Sequence, residues 1–330
     1  MSSPSLDPRF CGEASASETP RRLGFIGLGN LGRHLAASLL RAGFPLTVND
    51  RDEAAAQPLL EAGAVWAASP RDVAAASDSV FTCLPSPKVV VDVLTGESGV
   101  LQGLAAGGTW IDSSTNDRHE LQRIAELAEA RGIHCLEAPV TGGVHLAASG
   151  QITVLVGGDA EVYAAHLPAF EAIGDRVFHI GPLGSASVIK VITNMLAFIH
   201  LVATGEALML ARRAGLDLAQ SFEVIKASSG TSFVHETESQ VILNGSYDIG
   251  FTMDLACKDL GFAHDLGDEL GVPLELANLV EQTFIRAREE YGGSAWSPMV
   301  VKLLEDALGT DLRAPGFPDR IEARTVQAPG

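Results

Sequence analysis

A chain of 330 residues, 46% of them hydrophobic, is long enough for two domains with substantial cores. Its formal net charge of −18 argues against a nucleic-acid partner, whose phosphates it would repel, and more weakly against an anionic membrane surface. The four cysteines are far apart and the nine histidines form no ligand-spaced cluster, so the sequence predicts neither a disulfide framework nor a metal site. Reduced thiols in a cytoplasmic protein are therefore expected.

The first half of the chain has the pattern of an α/β domain. Residues 1–20 contain no apolar stretch long enough for a signal peptide and are predicted to form a flexible tail. The strand candidates that follow are LGFIGLG, PLTVND, SVFTCLP, GTWIDSS, IHCLEAP, ITVLVGG and RVFHIG. Helix-compatible segments separate them, an alternation typical of a parallel sheet with helices on both faces. Residues 21–183 are predicted to form this domain.

The second half of the chain reads as helical. Strand signals end near Gly184, and helices are then predicted over 186–213, 217–228, 252–270 and 274–290. Residues 184–312 are therefore expected to form an all-α domain, joined to the first domain by the long helix near 186–213. Residues 313–330 are predicted to form a second flexible tail.

The long predicted helix also has the length of a membrane span. Its segment 188–211 is interrupted by polar or charged side chains at Lys190, Asn194, His200 and Glu206. Because charges at membrane depth are costly, we expect this helix to be buried between two parts of a soluble protein.

A GxGxxG pattern ends at Gly32, directly after the first predicted strand and at the start of the first helix. In this context the first glycine permits a tight turn, the second lets the backbone approach a pyrophosphate, and the third allows close helix–strand packing. The pattern predicts a Rossmann dinucleotide-binding domain, and a glycine turn without a ligand is the alternative. The loop residues expected to bind the cofactor are Gly27, Leu28, Gly29, Asn30 and Leu31.

The end of the second predicted strand bears on the choice of cofactor. Asp50 lies about twenty residues after the glycine loop, where a carboxylate accepts hydrogen bonds from the adenosine ribose and favours NAD. Arg51 follows directly and would instead bind the 2′-phosphate of NADP. The sequence therefore predicts NAD and leaves NADP open.

Four motifs in order give the chain a resemblance to a known family. They are GFIGLGNLG at the glycine loop, EAPVTGG at 137–143, GSASVIKVITNM at 184–195 and FTMDLACKDLGFA at 251–263. They resemble the opening, the DAPVSGG substrate loop, the GxxxxxKxxNN helix and the FxxxLxxKDLxLA motif of the β-hydroxyacid dehydrogenases, which include 3-hydroxyisobutyrate dehydrogenase and tartronate semialdehyde reductase. The chain departs from these patterns at Thr141, where serine is usual, and at Thr193, which replaces the first asparagine.

The resemblance implies an NAD(P)-dependent oxidoreductase that interconverts a small β-hydroxy acid and its aldehyde or ketone. It assigns Lys190 the role of general acid/base, and it implies that Asn194 orients the substrate. The remaining implied contacts are Thr141, Gly142 and Gly143 for the substrate carboxylate, and Leu84, Pro85, Thr115 and Lys258, supported by Asp259, for the cofactor.

Elementary chemistry supports the same central residues. Hydride transfer at a carbinol carbon needs a group that moves a proton at the oxygen, and a lysine serves where burial and a cationic nicotinamide lower its pKa. Lys190 stands in an apolar helix, on the same face as Asn194. A structural lysine whose amine reaches solvent is the alternative. The turn at 141–143 offers a hydroxyl and backbone N–H groups to an anion, or is an ordinary turn.

Three further residues are weighed as pocket candidates. Phe233 and His235 follow a Ser/Gly loop, where either could line the pocket, and Phe233 is taken as the substrate-binding candidate. His145 lies just past the glycine pair and could face the substrate, although a packed or surface histidine is the favoured interpretation.

Two other functions remain open at this point. An imine reductase or reductive aminase would share the fold, and a catalytically silent oligomerisation module would keep the glycines. Lys190 and the turn at 141–143 favour a hydroxy acid over both. We also expect a homodimer or homotetramer, and a substrate site in the cleft between the domains.

Overall fold

The computed structural model describes residues 21–321, so the tail predicted at 1–20 and the end of the tail predicted at 313–330 lie outside the described residues. The strands are β1 Leu23–Ile26, β2 Leu46–Asn49, β3 Val65–Trp66, β4 Ser79–Thr82, β5 Thr109–Asp112, β6 His134–Glu137, β7 Val140–Thr141, β8 Thr153–Gly158 and β9 Arg176–Gly181. The helices are α1 Gly32–Arg41, α2 Gln57–Glu61, α3 Pro70–Ala75, α4 Pro87–Thr95, α5 Arg118–Glu129, α6 Val144–Ala148, α7 Ala160–Ile173, α8 Ser185–Arg213, α9 Leu218–Lys226, α10 Phe233–Asn244, α11 Met253–Leu270, α12 Glu275–Tyr291 and α13 Lys302–Leu308.

The strands form one sheet that confirms the predicted parallel arrangement over most of its width. Its order is β3-β2-β1-β4-β5-β6, and every neighbouring pair in this part is parallel. Beyond β6 the sheet continues with β8 antiparallel to β6, and β8 in turn pairs with antiparallel β7 and parallel β9. Strands β3 and β7 have two residues each, too few to give a periodic signal in the sequence.

Both faces of the central strands are buried, as expected for a parallel sheet covered by helices. Phe25 and Phe81 stack on one face, with ring centroids 6.0 Å apart. Ile26 and Trp110 belong to a separate core on the other face. Because β1, β4 and β5 run in parallel, the loops that follow them meet at one edge, where the predicted cofactor residues lie.

The second domain is helical, as predicted, and is organised around α8. This helix packs against α10, α11 and α12, and Phe198 meets Phe284 edge-on with ring centroids 5.2 Å apart. The predicted helices at 217–228, 252–270 and 274–290 correspond to α9, α11 and α12. Helices α10 and α13 were not among the predicted elements.

The first residues of the predicted C-terminal tail pack on the helical domain, so the prediction of flexibility is wrong for them. Arg313 donates hydrogen bonds to the carboxylate of Glu305, at 3.0 Å, and to the carbonyl of Ile242, at 2.8 Å. Phe317 packs edge-on against Phe222, with centroids 5.1 Å apart. The buried Glu305 carboxylate is stabilised by the positive charge of Arg313, and this ion pair fixes the first residues of the tail against the helical domain.

Helix α8 is less buried than the sequence analysis expected. Among the described residues it is the one helix whose length and composition would let it cross a membrane, and only 28% of its most apolar window is buried within the chain. Leu210, for example, is 72% exposed. One chain therefore leaves part of this helix uncovered.

Candidate active site and cofactor loop

The three fingerprint glycines have three different environments. Gly27 has a φ of 97°, and a Cβ there would lie 2.3 Å from the carbonyl oxygen of Cys83. A Cβ on Gly32 would lie 1.9 Å from the carbonyl oxygen of Gly27, whereas a Cβ on Gly29 would meet nothing within 4 Å. Gly27 therefore permits the tight turn, Gly32 allows close packing of the helix, and Gly29 leaves room for a pyrophosphate to approach the backbone. The loop fits NAD or NADP.

Asp50 holds the glycine loop in shape. Its Oδ2 accepts a hydrogen bond from the backbone N–H of Leu28 at 2.6 Å, and its Oδ1 accepts one from the N–H of Asp52 at 2.9 Å. The side chain of Leu28 is buried in the core, so this residue supports the loop from below. Arg51 is exposed and makes no hydrogen bond or ion pair with any described residue.

The other two predicted loop residues serve as supports. Asn30 donates from its side chain to the carbonyl of Gly250 at 3.2 Å, and so connects the glycine loop to the helical domain. Leu31 precedes α1 and packs against the core of the first domain.

The loops after β4 and β5 are fastened to each other. The N–H of Leu84 donates to the Ser114 hydroxyl at 2.9 Å. The buried Asp112 carboxylate accepts from the N–H of Ser114 at 3.1 Å and from the side chain of Asn116 at 3.0 Å. Burial raises the pKa of Asp112, and these hydrogen bonds oppose that shift. Asp112, which the sequence analysis did not single out, thereby shapes the loop that contains Thr115.

Lys258 connects α11 to this strand edge. Its Nζ donates to the carbonyl oxygen of Thr115 at 2.8 Å and lies 3.1 Å from Oδ1 of Asp259. Lys258 and Pro85 also line one cleft of about 640 Å³ between the two domains. Predicted cofactor residues from both domains therefore come together, and the Lys258-Asp259 pair is not a simple solvated pair.

Lys190, Asn194 and Asp259 form a continuous hydrogen-bonded chain. Lys190 is 8% exposed and donates from Nζ to Oδ1 of Asn194 at 2.8 Å, so its amine does not extend into solvent. The Asn194 amide donates to Oδ2 of the buried Asp259 at 2.6 Å. These two bonds fix the orientation of the Asn194 side chain. The spacing of Lys190 and Asn194 predicted their contact, but not the contribution of Asp259.

The environment of Lys190 suits proton transfer near neutral pH. Burial lowers the pKa of Lys190 to about 8, and the positive charge of Lys258 acts in the same direction. The negative charge of Asp259 opposes the shift without cancelling it. The amine can therefore exist in both protonation states at a working pH, as a general acid/base requires.

The turn at 141–143, named here the carboxylate turn after the role that the family resemblance implies, needs its two glycines. Gly142 and Gly143 have φ values of 127° and 86°, in the region that side-chain-bearing residues rarely adopt. Thr141 ends β7 and is half-buried. Among the described residues, no hydrogen bond joins the Thr141 hydroxyl to Lys190.

Phe233 reaches the carboxylate turn through His145. The Phe233 and His145 rings stack with centroids 6.1 Å apart, and a Cβ on Gly143 would lie 3.1 Å from the His145 ring. His235 does not line the pocket, since it is fully buried and its Nε2 lies 3.0 Å from the carbonyl of Phe222. Of the two candidates after the Ser/Gly loop, only Phe233 is exposed and contacts a residue next to the carboxylate turn.

Glu137 is a supporting residue that the sequence analysis missed. It is 1% exposed, and its carboxylate accepts hydrogen bonds from the N–H groups of Gly184, Ala186 and Ser187 at 2.6 to 2.9 Å and from the Ser187 hydroxyl. Burial raises the pKa of Glu137, against the effect of these bonds. The residue joins the end of β6 to the first turn of α8, just before Lys190. The signal in the sequence that could have identified Glu137 is its position as an acidic residue at the end of a strand, directly before Ala138-Pro139.

Comparison with known proteins agrees with this architecture. Residues 22–181 match the NAD binding domain of 6-phosphogluconate dehydrogenase, and residues 184–304 match the family model described as NAD-binding of NADP-dependent 3-hydroxyisobutyrate dehydrogenase. The mitochondrial 3-hydroxyisobutyrate dehydrogenase of Mus musculus is 36% identical over 83% of this chain and 83% of its own length. The chain belongs to the β-hydroxyacid dehydrogenase family. It is an NAD(P)-dependent oxidoreductase that acts on a CH–OH group.

Three further comparisons describe the place of this β-hydroxyacid dehydrogenase among its relatives. The 2-(hydroxymethyl)glutarate dehydrogenase of Eubacterium barkeri is 34% identical over 88% of this chain and 97% of its own length. The crystal structure of a 3-hydroxyisobutyrate dehydrogenase from Salmonella typhimurium superposes with a TM-score of 0.80 at 32% identity, covering 86% of this chain and 99% of that one. An imine reductase from Myxococcus stipitatus has a TM-score of 0.59 at 19% identity, which shows a shared fold alone.

Proposed function

We propose that this β-hydroxyacid dehydrogenase interconverts a small 3-hydroxy acid and its aldehyde, with Lys190 as the general acid/base. The observation that supports this most directly is the buried chain from Lys190 through Asn194 to Asp259. The carboxylate turn holds the acid group of the substrate, and Asn194 orients its hydroxyl. Imine reduction needs no such turn, and a silent module needs no buried lysine.

The proposed mechanism assigns the proton to Lys190. The glycine loop and Lys258 would hold NAD or NADP, and the bound cofactor would supply a hydride acceptor for oxidation and a hydride donor for reduction. In oxidation, neutral Lys190 takes the hydroxyl proton as the C–H bond breaks and the C–O bond becomes a carbonyl. The ammonium that forms is stabilised by Asp259, whose charge reaches it through Asn194. Reduction reverses these steps.

A substrate panel tests the proposed function. The purified chain is assayed with 3-hydroxyisobutyrate, 2-(hydroxymethyl)glutarate, glycerate, serine and threonate, each with NAD and NADP, by nicotinamide absorbance. We expect turnover of at least one 3-hydroxy acid. A protein that binds the cofactor but oxidises none of them, and reduces none of the matching aldehydes, would contradict the proposal.

We predict a preference for NAD over NADP. The Asp50 carboxylate stands at the end of β2, and it repels a 2′-phosphate while accepting hydrogen bonds from free ribose hydroxyls. We expect kcat/KM with NAD to exceed that with NADP roughly tenfold or more. Asp50→Ser keeps an acceptor for the Leu28 N–H and should shift the ratio toward NADP, whereas Asp52→Ser is the matched control. A higher kcat/KM with NADP in the unaltered chain would show that Arg51 dominates.

We also propose a cytoplasmic homo-oligomer with no nucleic-acid or membrane partner, in which residues 21–183 bind the cofactor and residues 184–312 form the subunit contacts. The incomplete burial of α8 supports the association of subunits through the helical domain. The exposed apolar side chains of the helical domain include Leu196 and Leu210 on α8, and Leu216, Val224, Leu276 and Leu279 beyond it. A second copy of the chain would cover such a surface.

Light scattering tests this prediction. At micromolar concentration we expect the mass of a dimer or a tetramer, because the uncovered apolar surface favours association. Leu210→Glu should shift the population toward smaller species, and Val65→Glu, a change at an exposed apolar residue of the first domain, serves as the control. A monomer in the unaltered protein would contradict the proposal.

A further inference from the structure

His145 is a half-buried imidazole that lies beside the carboxylate turn. Its Nδ1 and Cε1 lie 3.1 Å from the position that a Cβ on Gly143 would occupy, so the absence of a side chain there makes room for the ring. Neither ring nitrogen forms a hydrogen bond with any described residue. Burial alone lowers the pKa of His145, and no charged group contributes to the shift.

Phe233 gives this imidazole a wall on the opposite side. The two rings lie 6.1 Å apart at an interplanar angle of 15°. Phe233 is 53% exposed despite its size and apolar character, so part of its ring is open to solvent beside the turn. Together the two rings form a small compartment next to the carboxylate turn, apolar on one side and able to hydrogen-bond on the other.

The substrates named for the two relatives above suggest what this compartment meets. Both 3-hydroxyisobutyrate and 2-(hydroxymethyl)glutarate are 3-hydroxypropanoates, with the same reacting hydroxymethyl group and the same carboxylate on the second carbon. They differ only in the other substituent on that carbon, which is a methyl group in one and a carboxyethyl group in the other. Selectivity between them is therefore a question of which side chain meets this substituent.

The two site lysines already have partners. Lys190 is bonded to Asn194, and Lys258 lies between Asp259 and the Thr115 carbonyl. Each amine therefore has fewer N–H groups left for a second acidic group of a substrate. The imidazole of His145 has a free N–H group, and an N–H that meets a carboxylate forms a charge-assisted hydrogen bond.

We propose that His145, backed by Phe233, binds an acidic substituent on the second carbon of the substrate, so that the enzyme selects dicarboxylic 3-hydroxy acids over those with an alkyl substituent. This inference rests on the proposed function, because it needs a 3-hydroxy acid whose first carboxylate occupies the turn. It adds to that function the class of substrate and the residue that selects it.

The test compares one pair of substrates in matched variants. The ratio of kcat/KM for 2-(hydroxymethyl)glutarate to kcat/KM for 3-hydroxyisobutyrate is measured in the unaltered enzyme and in His145→Phe, which keeps a ring stacked on Phe233 but has no nitrogen. We expect the unaltered enzyme to favour the dicarboxylate, and the ratio to fall roughly tenfold or more in His145→Phe, mainly through KM for the dicarboxylate.

Two further variants make the result specific. His145→Gln keeps an N–H donor and should retain part of the selectivity, while Ala148→Ser, an exposed change on the same short helix, should leave the ratio unchanged. Cofactor binding, followed by fluorescence, checks that each variant is folded.

The outcomes separate this inference from the function on which it rests. Equal losses on both substrates in His145→Phe would show that the ring only holds the domains together, and would overturn the inference. An unaltered enzyme that prefers 3-hydroxyisobutyrate would overturn it as well, while leaving the proposed function standing. Turnover of neither substrate, nor of any other 3-hydroxy acid in the panel, would overturn the proposed function itself.

Discussion

Replacing Lys190 with methionine is expected to lower kcat roughly a hundredfold or more while cofactor binding persists. Methionine has a similar length and an apolar character that suits the buried site, so the fold should tolerate the change. It removes the group that moves the proton at the substrate oxygen. Steady-state kinetics and a fluorescence titration with NAD measure the two properties separately.

A matched control and a contradicting result define this prediction. Lys226→Met alters an exposed lysine on α9 and should leave kcat near its original value. If folded Lys190→Met turned over substrate at a near-normal rate, lysine would have no place in the mechanism.

The pH dependence gives a second view of the same residue. Because the pKa of Lys190 is lowered to about 8, the neutral amine that oxidation requires becomes more abundant as the pH rises through about 8. We expect kcat/KM for oxidation to rise across that range, and kcat/KM for reduction, which needs the ammonium form, to fall. Both limbs should be absent from the residual activity of Lys190→Met.

The two charges nearest to Lys190 should move the pH at which kcat/KM for oxidation rises, here called the limb of the profile, in opposite directions. Lys258 lowers the pKa of Lys190, so Lys258→Met should shift the limb toward higher pH. Asp259 raises that pKa, so Asp259→Asn should shift the limb toward lower pH. Profiles measured at saturating cofactor separate these shifts from weaker cofactor binding. A limb that stays in place in both variants would assign the ionisation to another group.

Local sequence signals predicted the parts of this molecule that depend on local structure. The glycine pattern predicted the turn after β1, and helical spacing predicted the contact between Lys190 and Asn194, observed at 2.8 Å. Helical stretches bounded by Gly and Pro predicted α9, α11 and α12 to within a few residues. In each case the interacting groups are neighbours along the chain or along one helix face.

Contacts between distant segments were beyond such signals. Asp259 meets Asn194 across 65 positions, and no local pattern records which helix will pack against which. The same is true of Glu137, whose partners lie about fifty positions later, at the start of α8. The sequence did not predict that β8 pairs antiparallel to β6 and β7, because the direction of a strand depends on how the chain connects it and not on its composition.

Glu137 is expected to give the second large effect, as a positioning residue for Lys190. Its carboxylate satisfies three backbone N–H groups of the first turn of α8, which would otherwise be buried without partners. Gly157 lies against it, since a Cβ there would be 2.2 Å from Oε1, so the lack of a side chain at Gly157 makes room for this carboxylate. We expect Glu137→Gln to lower the free energy of unfolding by about 1–3 kcal/mol.

The catalytic consequence of Glu137→Gln follows from the position of α8. Lys190 lies one turn after the capped residues, and the carboxylate turn begins four residues after Glu137, so this side chain sets the start of the helix relative to the substrate. A displaced amine transfers a proton less efficiently, and we expect kcat to fall roughly tenfold. Urea unfolding and steady-state kinetics measure the two effects, with the exposed Glu129→Gln as the control. Loss of stability with an unchanged kcat would leave Glu137 a purely structural role, because a group that positions Lys190 must affect the proton-transfer step.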